Sequence, residues 1–269
     1  MKKFLGLMCA LLIVVGLSGC GSNKASDDKL AQIKEAGKIV IGTNSGYPPY
    51  EFYDTSNGQK KLVGYDIAIG DRIGKELGVK VEWVDMDFEA LIPSLMSGKI
   101  DLVLAGMVDN AERRKSVDFS EPYFKTQTVA VAKKANISDF SSAEKLKGKT
   151  IVAQTGTTQA NAAKEVAGAE LITLPNVSDT VASLTSGKAD ALFISEVSAK
   201  NIVASYPEFS FTSVSGINDD LLYDGASAAM AQGNDSLKEV VNKVINDLKD
   251  SGELDKLFNE NVALYDKLN

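Results

Sequence analysis

Arg113 has the strongest binding chemistry in this chain. It sits in Asn110-Ala111-Glu112-Arg113-Arg114-Lys115, just past the apolar strand Leu102 to Ala105. A guanidinium facing a cleft takes a carboxylate through two parallel hydrogen bonds. Arg114 and Lys115 read as the solvated face of the same segment. A second anion-binding candidate is Thr155-Gly156-Thr157-Thr158-Gln159, where small polar residues open a helix. Free N–H groups and the helix dipole favour negative charge there, although the spacing and lysine of a P-loop are absent. The loop Asn44-Ser45-Gly46-Tyr47-Pro48-Pro49-Tyr50 carries two prolines that fix its backbone and present its tyrosines. Phe88 follows Asp85-Met86-Asp87 and is expected to form the opposite wall of one slot. Aromatic walls suit an apolar or cationic ligand group. The acids around that slot (Glu51, Asp85, Asp87 and Glu196) favour a cationic ligand such as arginine or lysine.

Such residues act together only if strand carboxyl ends and helix N-termini meet at one cleft. A repeated joint suggests how. Ser94-Leu95-Met96-Ser97-Gly98-Lys99-Ile100-Asp101 recurs as Ser183-Leu184-Thr185-Ser186-Gly187-Lys188-Ala189-Asp190, and an apolar strand follows each. Both copies read as a helix end closed by a left-handed glycine, then a buried strand. Two matching joints imply two lobes on one plan, with a ligand between them. The pattern places strands at Lys38–Thr43, Val79–Val84, Thr150–Gln154, Leu171–Leu174, Phe209–Val214 and Ala226–Ala231. Helices are expected from an Asp66 N-cap to Leu77, from Phe88 to Ser97, from Thr158 to about Ala167, from Ser178, from Glu196, and over Leu237–Leu248 and Leu254–Phe258. Two crossings, near 125–128 and 222–227, return the chain end to the first lobe. Residues 30–126 with 224–269 form lobe 1, and 127–223 form lobe 2.

Residues 1–19 read as a signal peptide, with Lys2-Lys3 before an apolar stretch and Leu17-Ser18-Gly19-Cys20 at its end. Cys20 is then the lipidated mature N-terminus, and residues 20–29 are a flexible tether. The chain lacks histidine, and Cys9 leaves with the signal, which argues against zinc and haem sites, and no cofactor is expected. The net charge of −7 becomes more negative when both lysines of the signal depart, which argues against nucleic acid or anionic lipid as partners.

The segments IGTN-x3-PPYEF, LVGYDIAIGDRIGKELG, DFEALIPSLMSGKID, ERRKSVDFSEPYF, GKTIVAQTGTTQ and SGKADALF together resemble the bacterial extracellular solute-binding proteins of family 3. The resemblance implies an α/β, two-lobe, type II periplasmic-binding-protein-like fold, each lobe a mixed sheet flanked by helices, joined by a two-strand hinge. It implies a monomeric, lipid-anchored receptor on the extracytoplasmic face of the cell membrane, closing on an amino acid and delivering it to ABC permease subunits. Residue by residue, it assigns Tyr47 and Phe88 to the aromatic pair, Arg113 to the ligand carboxylate, and Gly106 and Thr158 to amide donors. Gln154 and Thr157 fall on further cleft positions. The departures lie at the ammonium end. Ala105, Gly106, Met107 and Val108 stand where serine-like residues are usual, Ser195 where aspartate is usual, and Asn44 where receptors for basic amino acids often carry aspartate. Glu196, Asp109, the Ala105 carbonyl, or a ligand without a standard α-amino group are the alternatives. An enzyme on this scaffold, such as a prephenate-type dehydratase using Glu51 or Glu196 as the acid, and a sensor for a membrane signalling protein are the competing functions.

Overall fold

A computed structural model describes residues 28–268. The expected signal peptide, Cys20, the tether up to 27 and Asn269 lie outside the described residues.

Two sheets are built to the same order. In the first, β1 (Lys38–Thr43) lies parallel between β4 (Lys80–Asp85) and β5 (Leu102–Val103). In the second, β8 (Thr150–Gln154) lies parallel between β9 (Glu170–Leu174) and β10 (Ala191–Ser195). An antiparallel strand then extends each sheet. β13 (Ala229–Ala231) pairs with β5 and with β6 (Val117–Phe119) in the first. β7 (Phe124–Lys133) pairs with β10 and with β11 (Phe209–Ser213) in the second. A separate hairpin joins β2 (Phe52–Asp54) to β3 (Lys61–Val63). Helices cover both faces of each sheet, giving the bilobal architecture expected.

The repeated joint shows why the halves match. Gly98 and Gly187 adopt φ of 73° and 75°, a region that disfavours any side chain, and each ends its helix: α3 (Leu91–Met96) and α5 (Val177–Thr185). The aspartate three residues on then clamps the neighbouring strand. Asp101 accepts from the Val40 N–H at 2.9 Å, and Asp190 accepts from the Thr150 N–H at 2.8 Å.

Lobe 1 buries Ile39, Ile41, Leu102 and Leu104 under α2 (Tyr65–Leu77) and α8 (Asp235–Asp250). Leu237, Val241, Val244, Ile245 and Leu248 fall on one face of α8, so the C-terminal segment packs into the first core. Each such fully buried side chain contributes about 1.5–3 kcal/mol. Helix α9 (Glu253–Leu268) brings Phe258 against Phe124 at the start of β7, stacked at 4.4 Å. Lobe 2 packs Phe140, together with Ala160 and Ala163 of α4 (Thr158–Lys164), on one sheet face. Leu184, with Ala199 and Ile202 of α6 (Glu196–Ser205), covers the other.

Four local expectations change. Asp66 does not cap α2; Gly64 holds that position, and Asp66 is buried in the first turn. Its carboxylate is drawn inward by the Gly106 N–H at 2.6 Å and the Tyr123 hydroxyl at 2.7 Å, partners distant in sequence. The single strand expected over 226–231 is two, because the chain changes sheets. β12 (Tyr223–Ala226) pairs with β7, whereas β13 joins the first sheet. The helix expected from Phe88 begins as a 3-10 turn before α3, and α4 ends at Lys164. The hinge pair is thus β7 beside β12; α7 (Asp219–Leu222) runs directly into β12, and α1 (Lys29–Ala36) packs beside β1 and α8.

Candidate ligand-binding site

A slot with about 510 Å³ of unfilled space, part of it open to solvent, lies between the lobes. Lobe 1 lines it with Asn44, Tyr47, Glu51, Phe88, Ala105, Gly106, Val108 and Arg113. Gln154, Thr157 and Thr158 face them from lobe 2. Strand ends explain the convergence. Asn44 follows β1, Phe88 follows β4, Ala105 follows β5, and Gln154 ends β8.

Arg113 is 9% exposed, within a 3-10 turn. Its Nη1 donates to the Val108 carbonyl at 2.6 Å and its Nη2 to the Gly156 carbonyl at 2.9 Å, so the guanidinium touches both lobes. It also lies 5.3 Å from the centre of the Phe88 ring, a cation–π contact that orients it. Arg114 instead makes a forked pair with Asp109, and Lys115 pairs with Glu112 on the surface.

Tyr47 stacks on Tyr50 at 5.0 Å and donates its hydroxyl to Ser195 Oγ across the cleft at 2.7 Å. Asn44 donates to the Met86 carbonyl and accepts from Gln154 Nε2 at 2.7 Å, a second bridge between lobes. Asn201 donates to the Pro48 carbonyl as a third. The lobes are therefore shut on the slot. Gly106 has φ of 55°, and a Cβ there would come within 2.9 Å of the Tyr47 ring. Its N–H is committed to Asp66, which corrects the expectation that it donates to a ligand carboxylate. Thr157 caps α4, accepting from the Ala160 N–H while donating to the Gln154 carbonyl.

Glu51 is the acid on the slot wall, fully buried, and neither carboxylate oxygen has a hydrogen-bond partner among the described residues. Burial, then the neighbouring Asp66 and Asp85, pushes its carboxyl well above the usual range. Asp66 behind the wall is pushed up to about 7, chiefly by burial. The other acids are elsewhere. Asp85 is exposed and held by Ser45 and Tyr53, and Asp87 is exposed. Glu196 accepts from Gln127 and pairs with Lys200, which holds its carboxyl below the usual range.

Met107, Ser195 and Glu196 do not line the slot. Met107 packs into the core beside Phe88 and Leu91, and Ser195 caps α6 while receiving Tyr47. Val108 and Gln159, each inside a segment the sequence singled out, line the slot; sequence reasoning missed Val177 and Thr180, and the apolar floor Leu192, Phe193 and Ile194 of β10. The strand-end rule pointed to that floor. Val177 and Thr180 lie at the start of α5, where the helix N-terminus rule applied without singling out a residue.

The model of the bacterial extracellular solute-binding proteins, family 3, matches residues 39–262. The chain belongs to this family. Among family 3 relatives, the arginine-binding extracellular protein ArtP of Bacillus subtilis (strain 168) is 33% identical over 96% of each chain. A solved substrate-binding protein of an amino acid ABC transporter is 43% identical with a TM-score of 0.78, over 83% of this chain and 98% of that one. The Streptococcus pneumoniae substrate-binding protein AbpA, bound to L-arginine, is 34% identical with a TM-score of 0.82, over 86% and 97%. Family 3 membership makes this an extracytoplasmic, non-catalytic solute-binding protein.

Proposed function

We propose that the solute is a cationic amino acid, arginine or lysine, held by its carboxylate at Arg113 and by its cationic group at Glu51. The protein is the amino-acid-binding component of an ABC import system and hands its ligand to the permease. One observation carries the choice of ligand: a fully buried acid without a hydrogen-bond partner among the described residues stands on the same wall as a buried arginine. A zwitterion with a cationic side chain satisfies both. Arginine binding by ArtP and the arginine-bound AbpA support this reading.

Tyr47 and Phe88 flank the ligand, while Asn44, Ala105, Gly106, Gln154, Thr157 and Thr158 complete the slot. Ser195 acts as a latch for Tyr47 rather than as the ammonium partner, and neither Met107 nor Glu196 touches the ligand. The lobes comprise 30–126 with 224–269, and 127–223, in a monomer tethered through lipid on Cys20 after removal of 1–19. Mass analysis of the mature N-terminal peptide, and release of Cys20→Ala protein from the membrane fraction, check the anchor.

A thermal-shift screen of the twenty amino acids, followed by calorimetry, tests the ligand. Arginine or lysine is expected to give the largest shift. Stabilisation by neutral or acidic amino acids alone overturns the cationic reading.

A further inference from the structure

Between the shut lobes Glu51 stands where no cation among the described residues offsets a negative charge. Neither of its oxygens finds a donor among the described residues, and the side chain is fully buried. Every titratable group set against it is acidic or phenolic. Asp66 of α2 and Asp85 of β4 raise its proton affinity, and the buried hydroxyl-bearing rings of Tyr50 and Tyr123 sense its charge. Asp66 already accepts two hydrogen bonds, and its other oxygen is also without a partner. The cations are engaged elsewhere. Arg113 is turned to the Val108 and Gly156 carbonyls and to Phe88, and Lys60 lies over the Tyr53 ring. Among the described residues neither Glu51 nor Asp66 has an ion pair. A buried, unpaired carboxylate is neutralised rather than left charged.

Building on the cationic reading of this slot, we propose that Glu51 is a carboxylic acid while no cation faces it and exchanges its proton for the ligand's cationic group. The O–H bond breaks heterolytically, the electron pair stays on the carboxylate oxygen, and the proton passes to solvent as ammonium or guanidinium takes its place. No other co-reactant is needed. Asp66 lies behind the wall and cannot meet the ligand, so it keeps its protonation through binding. Binding is thereby linked to pH. Below the proton affinity of the empty site, affinity for a cationic ligand falls by about tenfold per pH unit; above it, affinity is level. Discrimination between cationic and neutral amino acids narrows on acidification.

Calorimetric titration of the protein with L-arginine, in phosphate and in Tris at matched pH, reads the exchange. The apparent enthalpy should differ between buffers by the release of up to about one proton per arginine. Glu51→Gln should abolish that difference. Where this variant binds too weakly for calorimetry, infrared difference spectra of the wild type serve instead. Arginine should remove a protonated-carboxyl carbonyl band that the variant lacks from the start. A buffer-independent enthalpy across about pH 5.5–7.5, with arginine bound normally, overturns the exchange. So does proton release that persists in Glu51→Gln, which would place the proton on Asp66. Absence of heat from both arginine and lysine is a different failure, since it removes the cationic reading and the exchange with it.

Discussion

The two lobes share a sheet order and a joint, yet they equip the slot differently. Lobe 1 brings both charged groups, Arg113 and Glu51, and both aromatic walls, Tyr47 and Phe88. Lobe 2 brings an amide, hydroxyls and an apolar floor, namely Gln154, Thr157, Thr158 and Leu192–Ile194. A common scaffold therefore carries a division of labour. On the proposed reading, the Arg113 side holds the ligand's charged groups and the neutral side of lobe 2 covers them. The lobe 2 lining then carries no opposing charge to desolvate, and such a ligand completes its contacts only where both lobes face it.

The sharpest way to break this asymmetry is Arg113→Ala. It should weaken binding by about 2–5 kcal/mol, the cost of leaving a buried carboxylate unpaired. Calorimetry with arginine checks it, and near-normal affinity would remove lobe 1 from the leading role. Glu51→Gln should cost about 1.5–3 kcal/mol for arginine and lysine, the worth of a charge-assisted hydrogen bond. It should cost far less for glutamine, so the readout is the ratio of affinities. Gly106→Ala should lower stability by about 1–3 kcal/mol, since it strains the backbone and presses on Tyr47. Denaturant unfolding measures that. Tyr47→Phe and Gln154→Ala each remove one cross-lobe bond and should cost about 0.5–1.5 kcal/mol. Their effect should appear in scattering as more open protein at subsaturating ligand. Arg114→Ala severs an exposed pair with Asp109 and should change affinity by less than about 1 kcal/mol. An Arg114 effect as large as that of Arg113 would undo the assignment.

How far the sequence revealed these features depends on whether the partners are local. The joints at Gly98 and Gly187 were legible because a helix end is written in adjacent residues, and β1 and β8 fall at their expected limits. Arg113 was separable from Arg114 by position, and the structure buries the first while exposing the second. Asp66 was misread, since a helix start favours a cap locally while the deciding donors, Gly106 and Tyr123, come from other elements. Glu51 could not be told from Asp85, Asp87 or Glu196 in one dimension, because burial without a partner is a property of the assembled lobes. Ser195 was visible as a departure, but its role as acceptor for Tyr47 needed the closed pair of lobes.

Phe124 is pinned between Tyr50, Tyr65 and Phe258 at the root of β7. A strand clamped this firmly at one end bends beyond the clamp. The residues just beyond the clamp, Lys125 to Gln127, lie beside β12 at the crossing between the lobes, so any opening is expected to turn there. The aromatic cluster is then expected to stay with the Arg113 wall while the neutral side swings.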